Sequence, residues 1–516
     1  MSSRAAEADQ ILDAAVQADP RLPEARLALA RHRLQHGDAA GAVTVLEPLA
    51  AQAAGVPAIA AVRIRALAAA GRALDASSLG DQALARNPGD PALLLAKAAA
   101  LDAAGKGEEA ARLYHDVAAR DPGAFEPRLA LGRIALGRSD LAEARVELAP
   151  AVEKGPREPA AHAGVGELAA AQGDSAAAEK AFLVALGLDA SYAPAEIGLA
   201  KLALAKGDPA AARTRLERAL AVDPRSVEAH VSLGRLLWKA NDLPAAEKAF
   251  QSAVDLQPRN ALALSGLGVV KVERGEDLDG AVQRLTAASN EDPRHAETRE
   301  WLGRALLRKG ETPAAIAQLR KAVELEPKSP EHHLQLGIAI ERSGVLPEAA
   351  EEYRASAAAD PKFADAHERL GQLLAANGRF EDAAAAYEKA SAAAPKASRH
   401  RIALADCKER LGKHDDAVRI YRQVMKADPA AVQVLYKLAR ALHESQGASA
   451  ALPLYERAAR EEATNPMPHY YLGYLYKERG QKAKAGGEFK KFLALKPDAD
   501  ERKDIEAEIE DLGAAK

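Results

Sequence analysis

Apolar residues recur along this chain at helical spacing, in paired blocks that return every 34 residues. In the stretch 330–363 the blocks run roughly over 331–343 and 347–358, which predicts two amphipathic helices. Gly344 stands between them, where the chain must turn sharply, and Pro361 ends the second block and resets its direction. The segments GIAIERSGVLPEAAEEY (337–353) and GQLLAANGRFEDAAAAY (371–387) differ at most positions. Both nevertheless hold Gly, a second Gly seven residues on, Ala five after that and Tyr four beyond. A helical hairpin accounts for that framework.

The frame extends through the sequence. Pro88, Pro122 and Pro156, then Pro224 and Pro258, then Pro293 through Pro429 at 34-residue steps, and finally Pro497 close successive units. One extra residue in GEDLDGA (275–281) stretches a single unit to 35. Twelve positions before each closing slot lies Ala, from Ala8 and Ala42 to Ala451 and Ala485. Seven residues into each unit stands Gly or Ala, as in Gly132, Gly166, Gly337 and Ala405; Ile64 breaks this rule. Small residues there let paired backbones approach. One hairpin buries little, so neighbours must cover its remaining apolar faces.

These columns (small residue eighth, Gly fifteenth, Ala twentieth, Phe/Tyr/Leu twenty-fourth, Ala twenty-seventh, Pro thirty-second) resemble the tetratricopeptide repeat family over essentially the whole chain. The expected fold is all-α, an α-solenoid of antiparallel helix pairs. Residues 1–22 read as a lone N-terminal half repeat, 23–497 as fourteen hairpins, and 498–516 as a capping helix and tail whose acidic face meets water. The ragged start suggests a protein that continues upstream, or an irregular cap; both readings stay open. Gly80 replaces the bulky twenty-fourth residue, so the unit 57–90 should pack loosely, with ~2–5 kcal/mol missing. The resemblance further implies a right-handed superhelix of seven or eight repeats per turn, nearly two turns in all, with first helices lining an inner groove.

On that implication the second, fifth, ninth, twelfth and thirteenth positions of each unit face the groove. They offer Arg31, Arg65 and Arg133 early; Arg235, Trp238, Lys239, Arg304 and Arg308 in the middle, near Trp301; then a mixed charged surface including Glu341, Asp406 and Glu409. The last two units carry Tyr436, Arg440 and His443, followed by Tyr470, Tyr474 and Lys477. Residues 436 and 440, like 470 and 474, share a helix face. Tyr, Trp and Arg combine contact area with polar handles, the usual chemistry of protein-binding anchors. The C-terminal stretch is therefore the leading peptide-binding candidate, although Tyr476 belongs to the core. The Lys/Asn clamp that some family members use on peptide carboxylates is absent, since the relevant slots never carry Asn.

Net charge is −4, with 28% charged and 48% hydrophobic residues, so the chain is foldable and no nucleic-acid partner is expected. Cys407 is the single cysteine, which excludes an intrachain disulfide and any cysteine-built zinc or iron–sulfur site. No apolar run is long enough for a transmembrane helix. The N-terminus lacks a secretory apolar core, which leads us to expect a cytoplasmic protein, with the periplasm second. Ala-, Arg- and Gly-rich usage is similar to that of high-GC bacteria, so a bacterial source is expected. His32 and His36 have i,i+4 metal-ligand spacing but no catalytic Glu between them and no third ligand. GVG at 164–166 and GLG at 266–268 lie inside helices and lack a third glycine. No Walker, nucleophile-elbow or kinase motif occurs, so no catalytic residue, metal or cofactor is expected. The expected function is a non-catalytic scaffold or adaptor holding one or more proteins or peptide segments in its groove. Two alternatives stay open: an arm of a larger enzyme or of an envelope, secretion or motility assembly, and a self-associating spacer. Oligomeric state is left open.

Overall fold

The computed structural model describes residues 3–20 and 22–514, and every regular element among them is helical. Met1, Ser2, Arg21, Ala515 and Lys516 fall outside the described residues. A lone helix, Ser3–Ala18, precedes the pairs that begin with Pro23–Gln35 and end with Lys482–Leu495; Arg502–Ala514 follows them. Two pairs are interrupted. In the later one a 3-10 turn, Val432–Val434, precedes the first arm Leu435–Gln446. The other is the first pair, whose second arm runs Ala39–Leu46, then one 3-10 turn Glu47–Leu49, then Ala50–Ala53, because Pro48 removes a helical donor.

Local chemistry sets the hairpin turns. In the repeat 330–363 the helices are Pro330–Arg342 and Leu346–Ala359. Gly344 between them has φ +88°, a conformation costly for a residue with a Cβ. Ser139 and Asn241 occupy the same turn slot with φ 61°. Asp one residue later often caps the second helix: Asp140, Asp174 and Asp208 each accept the backbone N–H three residues on, all at 2.9 Å. The 35-residue unit takes its extra residue in the turn 275–277, where Gly275 and Asp277 both have positive φ.

Inside each hairpin the eighth and twenty-fourth positions interlock. A methyl on Gly337 would come 2.6 Å from Tyr353, one on Gly166 2.8 Å from Phe182, and one on Gly303 2.5 Å from Leu319. A fully buried ring or branched side chain thus lies directly on the small residue. The hairpin 57–90 inverts the arrangement, with Ile64 fully buried at the eighth position and Gly80 at the twenty-fourth. Space beside Gly80 is taken by Lys97, whose aliphatic carbons would stand 3.0–3.4 Å from an added methyl while its ammonium pairs with Asp81. The looseness expected there is replaced by exchanged sizes and a borrowed aliphatic stem.

The described chain divides into two compact units, residues 1–294 and 295–516. Within each unit, every second helix packs on the first helix of the next hairpin. In unit 1 and at the start of unit 2 several successive first helices also touch, whereas successive second helices scarcely do. A layer compressed on one side and splayed on the other must curve, with first helices on its concave face. Unit 1 comes back onto itself. The Arg225 guanidinium lies 3.0 Å from Asp38, and Gln257 donates to the Ala69 carbonyl 188 residues earlier. That return takes about five and a half repeats, so the seven or eight per turn implied by the family resemblance does not hold in this unit. Each repeat rotates slightly further than that resemblance suggests.

In unit 2 the terminal helix Arg502–Ala514 buries Ile505 completely. Its acidic face is not simply solvated, because Glu508 pairs with Lys477 of the last hairpin.

Candidate functional site

The concave face is built from the exposed slots of the first helices. In unit 1 its ninth positions are within reach of one another from repeat to repeat: Arg133 donates to both Glu167 oxygens at 3.0 and 3.1 Å, 34 residues away. Further along, an open niche of about 570 Å³ lies among the helices Ala193–Ala205, Pro209–Val222 and Val227–Lys239. Leu204, Leu216 and Leu236 supply its apolar lining, and Lys201, Arg235 and Lys239 its cations. Lys201 also meets Glu228 at 2.8 Å, both largely exposed, so this pair is weak. Arg235 and Lys239 are exposed. Trp238, next to them, is half-buried and donates its indole N–H to Glu273 at 2.7 Å.

The remaining sequence candidates belong to unit 2. Trp301 is only 4% exposed, and the Arg304 guanidinium lies 3.6 Å over its ring, close enough for a cation–π contact. Arg304 also reaches Glu300. These two residues therefore present one another, more than a surface, while Arg308 is exposed.

Near the C-terminus the aromatic residues cluster. Tyr455 and Tyr471 stack at 5.2 Å, with Tyr436 6.3 and 6.0 Å from them and His443 6.1 and 6.3 Å away. Tyr470 packs on Phe492 at 5.3 Å and Tyr474 on Phe489 at 5.0 Å, and the two tyrosines meet edge to face at 5.1 Å. All four candidate rings (Tyr436, His443, Tyr470 and Tyr474) are half-buried. Burial, with Tyr470 and the acidic Glu508 and Asp504 nearby, pushes the Tyr474 hydroxyl up to about 12. Arg440 grips the buried Glu409 through two hydrogen bonds of 3.0 Å, and Lys437 pairs with Asp406 at 2.5 Å. Lys477 is exposed but paired with Glu508. Much of this surface is thus occupied by contacts between neighbouring repeats.

The structure joins Tyr436, with Arg440 over its ring, and His443 to Tyr470 and Tyr474 through Tyr471, while Arg235 and Trp238 share the helix Val227–Lys239. The residues missing from the sequence reading are Lys201, Glu167 and Glu273. The first two occupy ninth slots and the third a thirteenth, so the slot rule contains them; pairing across the 34-residue step is the signal that would find them. Cys407 is buried, and burial with the neighbouring Asp406 pushes its thiol up to about 11, which leaves it an unreactive packing residue. His32 and His36 rings lie 4.5 Å apart. Among the described residues no group of three or more His, Cys, Asp or Glu is placed to hold a metal. None of the described helices is long and apolar enough to cross a membrane.

Comparison with known proteins agrees with the repeat. One tetratricopeptide repeat model matches residues 197–261, 334–398 and 402–466, and another matches 1–64 and 103–168. A TPR repeat model matches 303–344. No curated protein matches by sequence. Similar solved structures include a MamA protein, 26% identical over 34% of this chain and 94% of its own, with TM-score 0.31. A thermophilic TPR protein of Thermus thermophilus is 28% identical over 35% of this chain and 98% of its own, with TM-score 0.32. The APC/C hetero-tetramer Cut9-Hcn1 aligns over 99% of this chain and 94% of its own at 14% identity and TM-score 0.45.

Proposed function

This chain belongs to the tetratricopeptide repeat family, whose domains generally mediate protein–protein interactions, and from that premise we propose that it is a non-catalytic scaffold. Its partner is a protein or peptide segment held on the concave first-helix face. The observation that carries the reading is the niche between residues 193 and 240, where exposed cations border an apolar lining on that face. Apolar area gives contact, and the cations give orientation and choice of partner. The C-terminal aromatic cluster supports a second contact region, reduced to the exposed edges of Tyr436, Tyr470 and Tyr474.

Reversing charge at two exposed positions, Arg235→Glu with Lys239→Glu, tests this. A partner captured by the unaltered chain and crosslinked to the 193–240 region should be lost from the variant, while helicity and melting temperature are retained. Capture that survives both reversals contradicts the assignment.

A further inference from the structure

Unit 1 touches itself at two places one repeat apart. Arg225 reaches Asp38 at 3.0 Å, and the Gln257 side-chain amide donates to the Ala69 carbonyl at 3.1 Å. In each case a turn inside an early hairpin meets the junction that follows a later one. The backbones are close as well: a Cβ on Gly37 would stand 3.4 Å from both Arg225 Cβ and Asp223 Oδ1. The same offset occurring twice makes this a stacking of successive coils.

The contact is polar throughout. Asp38 also accepts the Gly41 amide at 3.0 Å and faces Arg33 at 4.0 Å. Arg225 is incompletely satisfied, since its Nε is buried with no hydrogen-bond partner. Side-chain exposures of 39% for Arg225 and 19% for Asp38 leave the ion pair open to screening. Among the described residues, separating the coils breaks the Arg225–Asp38 ion pair and the Gln257–Ala69 hydrogen bond.

We propose that these two contacts form a releasable clasp, which closes the gap between successive coils of unit 1 and, while shut, bars bulky molecules from entering its inner face through that gap. Only the identity of the excluded molecule rests on the scaffold reading; the closure stands by itself. Two groups on the inner wall support enclosure. Asp102 is exposed to solvent, yet burial among surrounding protein raises its carboxyl against the pull of Arg133. Arg133 keeps 40% of its side chain exposed while desolvation opposes its charge, and Glu167 and Tyr192 hold that charge in place. A charged group on an open convex surface would keep its hydration.

The test places a fluorophore pair at Ala40→Cys and Ala221→Cys, both exposed sites near the contact, with the buried Cys407 left in place. Energy transfer should be high at low ionic strength and fall at about 1 M salt, where the screening length is about 3 Å. In Arg225→Glu with Gln257→Ala it should be low at both, and Arg225→Lys should restore it. Separately, a cysteine at the exposed inner-wall position Ala103 should react with a polymer-bearing maleimide several-fold faster in the double variant. A small maleimide should react equally with both proteins. Unchanged transfer and unchanged polymer labelling in the double variant would overturn the clasp. If that variant unfolds, Gln257→Ala alone with the salt series decides, an invariant distance counting against the proposal. No partner is needed for any readout, so failure here is distinct from failure of the scaffold reading.

Discussion

Gly337 lies beneath the ring of Tyr353, so close that an added methyl would come 2.6 Å from Cε1. Tyr353 is fully buried and donates its hydroxyl to Glu341, so the ring cannot simply swing aside. Gly337→Ala gains about 1 kcal/mol of helix propensity, against about 1–3 kcal/mol for overpacking. A modest net loss in denaturant unfolding is expected, and a much larger loss for Gly337→Leu. Equal stability for both variants would show that the interlock does not hold this hairpin together.

The inverted hairpin supplies a complementary test. Ile64→Gly alone should cost about 2–5 kcal/mol by opening a cavity, and Gly80→Leu alone about 1–3 kcal/mol by crowding Lys97. Combined, the substitutions restore the size order of the other hairpins. The double variant should therefore lose less than the two single losses added together, with a coupling of about 0.5–3 kcal/mol. Strict additivity in the unfolding midpoints would contradict the size exchange.

His332 gives unit 2 a pH signature. It is buried, 2.7 Å from the buried carboxylate of Glu300 and 3.4 Å from Glu326. Burial opposes its charge, but the hydrogen bond and charge of Glu300, with Glu326, prevail and raise the imidazole above its ordinary 6.5. For a base with a raised folded-state value, the added stability is complete below 6.5 and is lost as pH climbs through the folded value. His367 works oppositely, because burial lowers it and protonation then favours unfolding. The comparison of choice is the unaltered chain against His332→Gln, in which His367 cancels. Its stability advantage should shrink as pH rises above 6.5; an advantage that grows would refute the assignment.

Arg440 should behave as a structural residue. It neutralises Glu409, which also accepts the Tyr421 hydroxyl at 2.8 Å. Arg440→Ala leaves that carboxylate buried without its cation and should cost about 1.5–3 kcal/mol, toward the low end because Arg440 is 38% exposed. Combining it with Glu409→Gln should recover part of the loss in thermal unfolding. If Arg440→Ala instead weakens partner capture at unchanged stability, the residue faces a partner after all.

The hairpins are legible in the sequence because their markers are local. Glycine turns, proline stops and the alanine column follow from steric needs within 34 residues. The small eighth position reads as a close backbone approach, whereas its immediate cause is the twenty-fourth side chain lying on it, as Tyr353 does on Gly337. Gly80 looks like a defect because its compensations, Ile64 and Lys97, lie sixteen residues before and seventeen after it. Groove-facing slots likewise name charged residues without saying which are spent on each other, as Arg440 is on Glu409. The return of Arg225 to Asp38 sums small rotations over many repeats, and no residue pattern encodes that sum.

The scaffold reading is tested most directly by hydrogen–deuterium exchange of the chain with and without its captured partner. We expect added protection concentrated in first helices, above all 193–205 and 227–239, with the paired second helices little changed. Protection confined to second helices, or a partner that binds without altering any first helix, would contradict the account.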